Sequence, residues 1–374
     1  MGPALGTRSR PIVDSMRLPF LTGWLGRRRA WMLLAQLSVG GSLLLMSGFD
    51  PAENIQLFAL VAFAVAFSSA TQDIVVDAYR IECADSRMQG ILAAAYQYGY
   101  RISLLISMAG ALVLADHMSW SMTYKIMAAC MSVGICTTLL CSEPEVAARA
   151  DLQAGRSIGE RVAHWFTHAV VDPFGDFVGR FGKMSIVILV FVSLYRISDY
   201  VLGILANPFY IDIGYSKTQI GLIAKTYGAW VTIAGIGLGG WAVLKFGVAR
   251  CLVTATVLIA STNLFFAVMV IVGAEPWMLA VTITADNIAQ GFGGTVLIAY
   301  LSSLVNVSYT ATQYALLSSI MSLFPKFIAG YAGEVQEAIV WLGFFLYAAA
   351  LGIPAILLAN FVAGRHDEMV NGGK

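Results

Sequence analysis

Apolar residues along this chain fall into ten long runs, separated mostly by short polar breaks, at about 30–48, 56–79, 90–114, 119–141, 184–206, 217–240, 248–272, 277–303, 309–332 and 337–361. A helix rises about 1.5 Å per residue, so roughly 20 mostly apolar residues are needed to cross the hydrocarbon of a bilayer. The pattern therefore predicts an all-α polytopic membrane protein with about ten spans, and the short links make neighbouring helices antiparallel. The exception is the polar stretch 142–183, which divides the chain into four spans and six. Its second half places Val162, Trp165, Phe166 and Val170 at helical spacing, predicting a helix lying along the membrane interface. The expected domains are an N-terminal remnant with a basic loop (1–29), a four-span bundle (30–141), the connector (142–183) and a six-span bundle (184–374).

Composition agrees with this reading. The chain has 374 residues, is 58% hydrophobic and only 12% charged, and has a mean hydropathy of +0.75. An ordinary globular domain carries about 25% charged residues. The net charge of +1 argues against a nucleic-acid partner. The five cysteines show no paired spacing, and His164 and His168 have no further ligand near them, so neither a disulfide framework nor a metal site is expected. Basic residues alternate by loop. Arg27–Arg29, Arg80, Arg87, Arg149, Arg156, Arg161, Arg180, Lys183, Lys245, Arg250 and Arg365 fall on one side, while Asp50, Glu53, Asp116, Glu275 and Glu334 fall on the other, with Lys217 as its one basic residue. Positive charge marks the cytoplasmic side, which puts the connector and the C-terminus there. The N-terminal sixteen residues are too polar and too broken by Pro and Gly to be a signal peptide.

Two glycine-punctuated basic turns, TGWLGRRRAWMLLAQ (22–36) and GGWAVLKFGVARCLVTA (239–255), suggest an internal repeat. The second follows two spans; the first follows none, so a complete six-plus-six plan would have two more helices ahead of this sequence. The stretches GRRRAWMLLAQ (26–36), ATQDIVVDAYRIE (70–82), LYRISDYVLGILANPFYIDIGYSKTQIG (194–221) and AYLSSLVNVSYTATQYALLSSI (299–320) resemble the AmpG-type muropeptide permeases of the major facilitator superfamily, a group also similar to acetyl-CoA transporters. The resemblance runs from about residue 11 to the end and implies the major facilitator fold. Members of that family begin with two further spans, and this chain enters near Pro11–Asp14, reading as an N-terminally truncated form with about ten of twelve helices.

Charged side chains inside spans carry the candidate chemistry. Insertion scales put Asp, Lys or Arg at a helix centre at about 2.5–3.5 kcal/mol each, so such groups point to function. Gln72, Asp73 and Asp77 sit in one span, with the two acids one turn apart. Asp77 is near enough to Arg80 to be its helix-end partner instead of a substrate ligand. In LYRISDY, Tyr195 and Asp199 share a face and Arg196 stands three residues before Asp199, a cluster suited to a proton and a substrate anion. Lys225 is placed to neutralise Asp199 or to reach the interface. Asp286 and Gln290 are spaced i,i+4, Tyr96 and Arg101 lie on polar stripes of one span, and Gln313 falls in the specific YTATQYALLSS stretch. Arg27, Arg28 and Arg29 are the expected gating residues of the basic loop.

No Walker loop is present and no nucleophile stands beside a catalytic base, so the chain is not expected to be an enzyme or to hold a cofactor, and an ion gradient must drive any transport. The resemblance implies proton-coupled import of anhydro-muropeptides (GlcNAc–anhydroMurNAc with or without peptide) across the bacterial inner membrane, feeding cell-wall recycling and β-lactamase induction. No obligatory protein partner is indicated beyond the bilayer. Two alternatives stand beside it: a permease for acetyl-CoA or another solute, and a truncated chain that does not transport.

Overall fold

The structure is a computed structural model that describes residue 18 and residues 20–52, 54–144 and 171–366. His164, His168, most of the expected interfacial helix and the segment near Pro11–Asp14 lie outside these residues. Among the described residues there are helices and no strands. A short α1 (Leu21–Leu25) leads into α2 (Arg27–Met46), followed by α3 (Ile55–Glu82), α4 (Gln89–His117) and α5 (Trp120–Leu140). The connector contributes α6 (Asp172–Phe181). Then come α7 (Met184–Asp212), α8 (Lys217–Phe246), α9 (Val248–Val272), α10 (Pro276–Leu304), α11 (Thr310–Ala329) and α12 (Ala332–Ala363).

All ten expected apolar runs are helical, but they are not equal. Among the described residues, eight helices are long and apolar enough to cross a bilayer, and α10 with the segment Val307–Ala329 makes a ninth only when the two are taken together, across a bend of 99°. Polar residues explain the difference from ten: Asp286, Asn287 and Gln290 dilute α10, while Thr310, Thr312, Gln313 and Lys326 dilute α11.

The chain divides into two compact units, one of residues 1–85, 99–175 and 305–315, the other of 86–98, 176–304 and 316–374. In the first, α2 packs on both α3 and α5. Trp31 and Met32 close against Val75, and the Thr138 hydroxyl donates to buried Gln36 at 3.0 Å. In the second, α9 packs on α10 and α12, and α8 lies on α10. Its core is aromatic: Phe209 of α7 meets Phe345 of α12 at 4.6 Å, and Phe345 meets Phe266 of α9 at 5.4 Å.

The α8–α10 crossing is close because it lacks side chains. A Cβ added at Gly291 would collide with the backbone carbonyl of Thr232, which cannot swing away. Small residues at such contacts let helix backbones approach within a membrane. Gly291→Val is accordingly expected to cost about 1–3 kcal/mol through overpacking, read as a lower midpoint in thermal unfolding of the purified protein.

The two basic turns share a backbone conformation. Gly26 ahead of α2 has φ 86° and ψ 178°, and Gly247 ahead of α9 has φ 82° and ψ 159°. Each sends its N–H back four residues, to Thr22 and to Val243. These angles lie in a region that costs a residue with a side chain about 1–3 kcal/mol. Surroundings separate the twins. The Glu143 side chain occupies the place of a Gly26 Cβ, whereas nothing lies within 4 Å of one at Gly247. Both alanine variants should lose stability, with Gly26→Ala losing more, because only there must the half-buried Glu143 carboxylate, which caps α2, also move; paired thermal unfolding curves measure the gap.

Candidate functional site

The centre of α7 is broken. Its helix runs Met184–Leu194, pauses, and resumes as Ile197–Asp212, with Arg196 at φ −112° and ψ 15° between the halves. The break puts Asp199 in the first turn of the second half, where the partial positive charge of a helix N-terminus favours a carboxylate. Arg196 reaches back to it, donating from Nε at 3.2 Å and from Nη2 at 3.0 Å, both to the same oxygen, Oδ2. The arginine side chain is 25% exposed and the aspartate 6%. The guanidinium also lies over the Tyr200 ring at 5.7 Å.

A second acid stands near. Asp286 of α10 is buried, accepts a hydrogen bond from Gln290 Nε2 at 2.8 Å, and lies close enough to interact with Asp199, Arg196 and the Thr262 hydroxyl. The expected i,i+4 relation of Asp286 and Gln290 is therefore a direct hydrogen bond. Buried oxygens without a partner cluster on the same helices: Thr282 Oγ1, one turn before Asp286, and Asn263 Oδ1, next to Thr262. Tyr195 does not join this group. Its ring is enclosed between Phe191 and neighbouring helices, and its hydroxyl donates to the Gly293 carbonyl at 3.0 Å, so it works as packing that pins α7 to α10.

In the other unit, α3 runs on to Glu82, which leaves Asp73 nine residues, about 14 Å, from its end. Asp73 is exposed and Gln72 half-buried. Asp77 is paired with Arg80, Oδ1 to Nη2 at 3.4 Å, and Arg80 lies over the Tyr314 ring at 5.3 Å. The two acids of the QDIVVDAY stretch thus occupy different settings, one open and one paired.

The basic turn is a fixed structure. Arg28 grips both oxygens of Glu82, at 2.8 and 2.5 Å, with side chains 1% and 0% exposed. Each charge sits at the wrong end of its own helix dipole, a cation at the start of α2 and an anion at the end of α3, and each compensates the other. Glu143 caps α2 from a distance, accepting from the backbone N–H of Arg28 at 2.7 Å and of Arg29 at 3.1 Å. Arg29 in turn donates to the last carbonyls of α5, Thr138 at 2.8 Å and Leu139 at 2.6 Å. Arg27 flanks this network.

The remaining candidates separate by setting. Gln313 is buried and bridges backbone, donating to the Pro173 carbonyl at 2.9 Å and accepting from Asn306 N–H at 2.7 Å. Tyr96 and Arg101 are half-buried on α4. Between them, Gln97 donates to Thr295 at 2.6 Å and Tyr98 to the Ile233 carbonyl at 3.1 Å. Lys225 is exposed, on a widened π-helical turn (Ile220–Tyr227), and among the described residues no ion pair joins it to Asp199. Beside it Tyr227 shares a 2.8 Å hydrogen bond with Thr284. Outside the spans, Tyr215 ties the α7–α8 turn to Glu275 at 2.9 Å, and burial pushes its hydroxyl above its usual range.

Sequence reasoning missed Glu82, Glu143, Tyr200 and Thr262. Glu82 was within reach, since an acid at the end of a span next to a loop of three arginines invites a pair. Glu143, 115 residues from Arg28, left no local signal.

A multi-pass helical bundle with compensated charges inside its spans defines a membrane transport protein, and solved structures agree on the fold. The proton:xylose symporter XylE, of the major facilitator superfamily, superposes with a TM-score of 0.63 at 14% identity, over 92% of this chain and 81% of that one. The Escherichia coli fucose:proton symporter FucP does so with a TM-score of 0.66 at 12% identity, over 94% and 87%. No protein-family model matches the chain. Its sequence is 34% identical to the Rickettsia felis protein named AmpG 4 over 355 residues, 94% of this chain and 83% of that one. It is 30% identical to the anhydromuropeptide permease of Escherichia coli K12 over 350 residues, 93% and 68%. The chain belongs to the AmpG family of permeases, with the major facilitator fold; it is a multi-pass membrane transporter and not an enzyme.

Proposed function

We propose that this chain is a secondary active importer that carries anhydro-muropeptides across the bacterial inner membrane into the cytoplasm, driven by protons. The observation that carries the reading is the identity of 30% to a permease named for that substrate. The site chemistry supports it: Arg196 is a partly exposed cation at mid-span, suited to a carboxylate of a sugar acid or peptide, and Tyr227 with Thr284 offers hydroxyls suited to sugar. In α3, Gln72 and exposed Asp73 belong to the same role, while Asp77 holds Arg80. The connector and C-terminus lie in the cytoplasm, as the basic loops require. Import of this kind would return wall fragments for recycling and supply the signal for β-lactamase induction.

The test is uptake of radiolabelled GlcNAc–anhydroMurNAc tripeptide by cells lacking their own permease. Expression of the full chain should restore uptake. Asp73→Asn should lower the rate at least about tenfold at equal membrane level, as expected for losing a group worth about 1.4 kcal/mol or more. Asp77→Asn should act on protein level more than on rate. No uptake from a chain that reaches the membrane would overturn the substrate assignment.

A further inference from the structure

Two arginine–carboxylate pairs of this protein, Arg28 with Glu82 and Arg196 with Asp199, are built differently. Arg28 forks onto both oxygens of Glu82, with neither side chain exposed. Arg196 spends two nitrogens on one oxygen of Asp199, stands at a helix break, and is 25% exposed while its acid is not. A fork on two oxygens is the strong, directional form of this contact. The Arg196 pair is the looser one, with the cation in front and the acid behind.

Charge counting adds the second half. Asp199, Asp286 and Arg196 form a group of two acids and one base, and Asp286 interacts with both others. The other titratable groups around it are Tyr195, Tyr200 and Tyr210 of α7 and Cys251 of α9, all neutral when protonated. The nearest stretch of α12, Phe344–Ala359, contains no charged residue, and Lys225 of α8 is not paired with Asp199. An uncompensated carboxylate in this buried place costs several kcal/mol, and one proton removes it. Thr282, on the helix of Asp286, and Asn263, next to Thr262 on α9, supply buried oxygens still lacking a partner.

We propose that Arg196 is exchanged between Asp199 and a carboxylate of the transported molecule, and that one proton enters the group with each such exchange. Before binding, the group holds Asp199 as carboxylate, Arg196 as cation and one proton on Asp286. The incoming carboxylate takes the guanidinium, and Asp199, left without its cation, takes a proton from water on the side that the site faces. Afterwards both aspartates are protonated and Arg196 is paired with the substrate. One proton has been gained per carboxylate bound, and no charge is left uncompensated. The inference rests on the transport reading for its ligand, but the exchange itself can be tested without one.

Infrared difference spectroscopy of the purified full chain reads protonated carboxyl groups directly. Ligand-free protein should show a protonated-carboxyl band that Asp286→Asn removes. Arg196→Gln, which takes the cation away as a substrate would, should add a second such band, and Asp199→Asn in that background should remove the addition. Circular dichroism confirms that each variant is folded. A band unmoved by Asp286→Asn overturns the shared proton, and a spectrum unchanged in Arg196→Gln overturns the exchange. Adding GlcNAc–anhydroMurNAc tripeptide to the unmodified protein should reproduce the Arg196→Gln band. If it does not, while the variants behave as stated, the muropeptide assignment fails and the exchange stands.

Discussion

Glu82→Ala is expected to destabilise the protein by about 3–5 kcal/mol, enough to remove most folded chain from the membrane. The Arg28 side chain is 1% exposed, so removing the carboxylate it forks onto takes its strongest counter-charge from a cation that water cannot reach. Arg28→Ala should cost nearly as much, because Glu82 is then the orphan. The double variant Arg28→Met/Glu82→Leu separates pairing from packing. Replacing both partners by apolar groups of similar size removes two desolvation penalties together and is often neutral. Thermal unfolding of the four proteins forms a complete cycle. The expected result is two badly destabilised single variants and a double variant close to the parent. A double variant as unstable as the singles would show that Arg28 and Glu82 act through other neighbours.

The second large effect falls on rate and not on folding. Asp199→Asn and Arg196→Gln should each lower initial uptake, per molecule in the membrane, by about 30-fold to several thousand-fold, the range given by losing one partner of a desolvated pair. Here the double variant should not recover. If Arg196 leaves Asp199 for substrate, both groups are needed in sequence, and removing both abolishes the step. Recovery in the double variant would mean that the pair is structural, like Arg28 with Glu82. Arg196→Lys is also expected to be poor, since an ammonium point charge cannot offer an incoming carboxylate the planar fork of a guanidinium.

Much of this was legible in the apolar pattern. The ten runs became ten helices because helix period and bilayer thickness leave an apolar run few other options. The repeated glycine turn was visible as a motif, and the twin angles at Gly26 and Gly247 gave it geometry. Charges inside spans were visible too, as was the local i,i+4 bond of Gln290 to Asp286. What the sequence could not assign was direction. Tyr195 shares a helical face with Asp199 only if α7 is continuous, and the break at Arg196 turns it into the core; no Gly or Pro in LYRISDY announces that break. Arg28 and Arg29 read as gating residues of the basic loop, but their backbone contact with Glu143, far along the chain, could not be read there. Pairing over such distances depends on tertiary contacts, which local spacing does not encode.

Reconstituted uptake decides whether the chain moves muropeptide together with protons. The purified full chain in proteoliposomes, with labelled GlcNAc–anhydroMurNAc tripeptide outside, should accumulate the label when the outside is made acidic relative to the lumen. It should stop when a protonophore collapses that gradient, and should not accumulate in Asp199→Asn vesicles. Accumulation that ignores the proton gradient, or that persists undiminished in Asp199→Asn, would contradict the account.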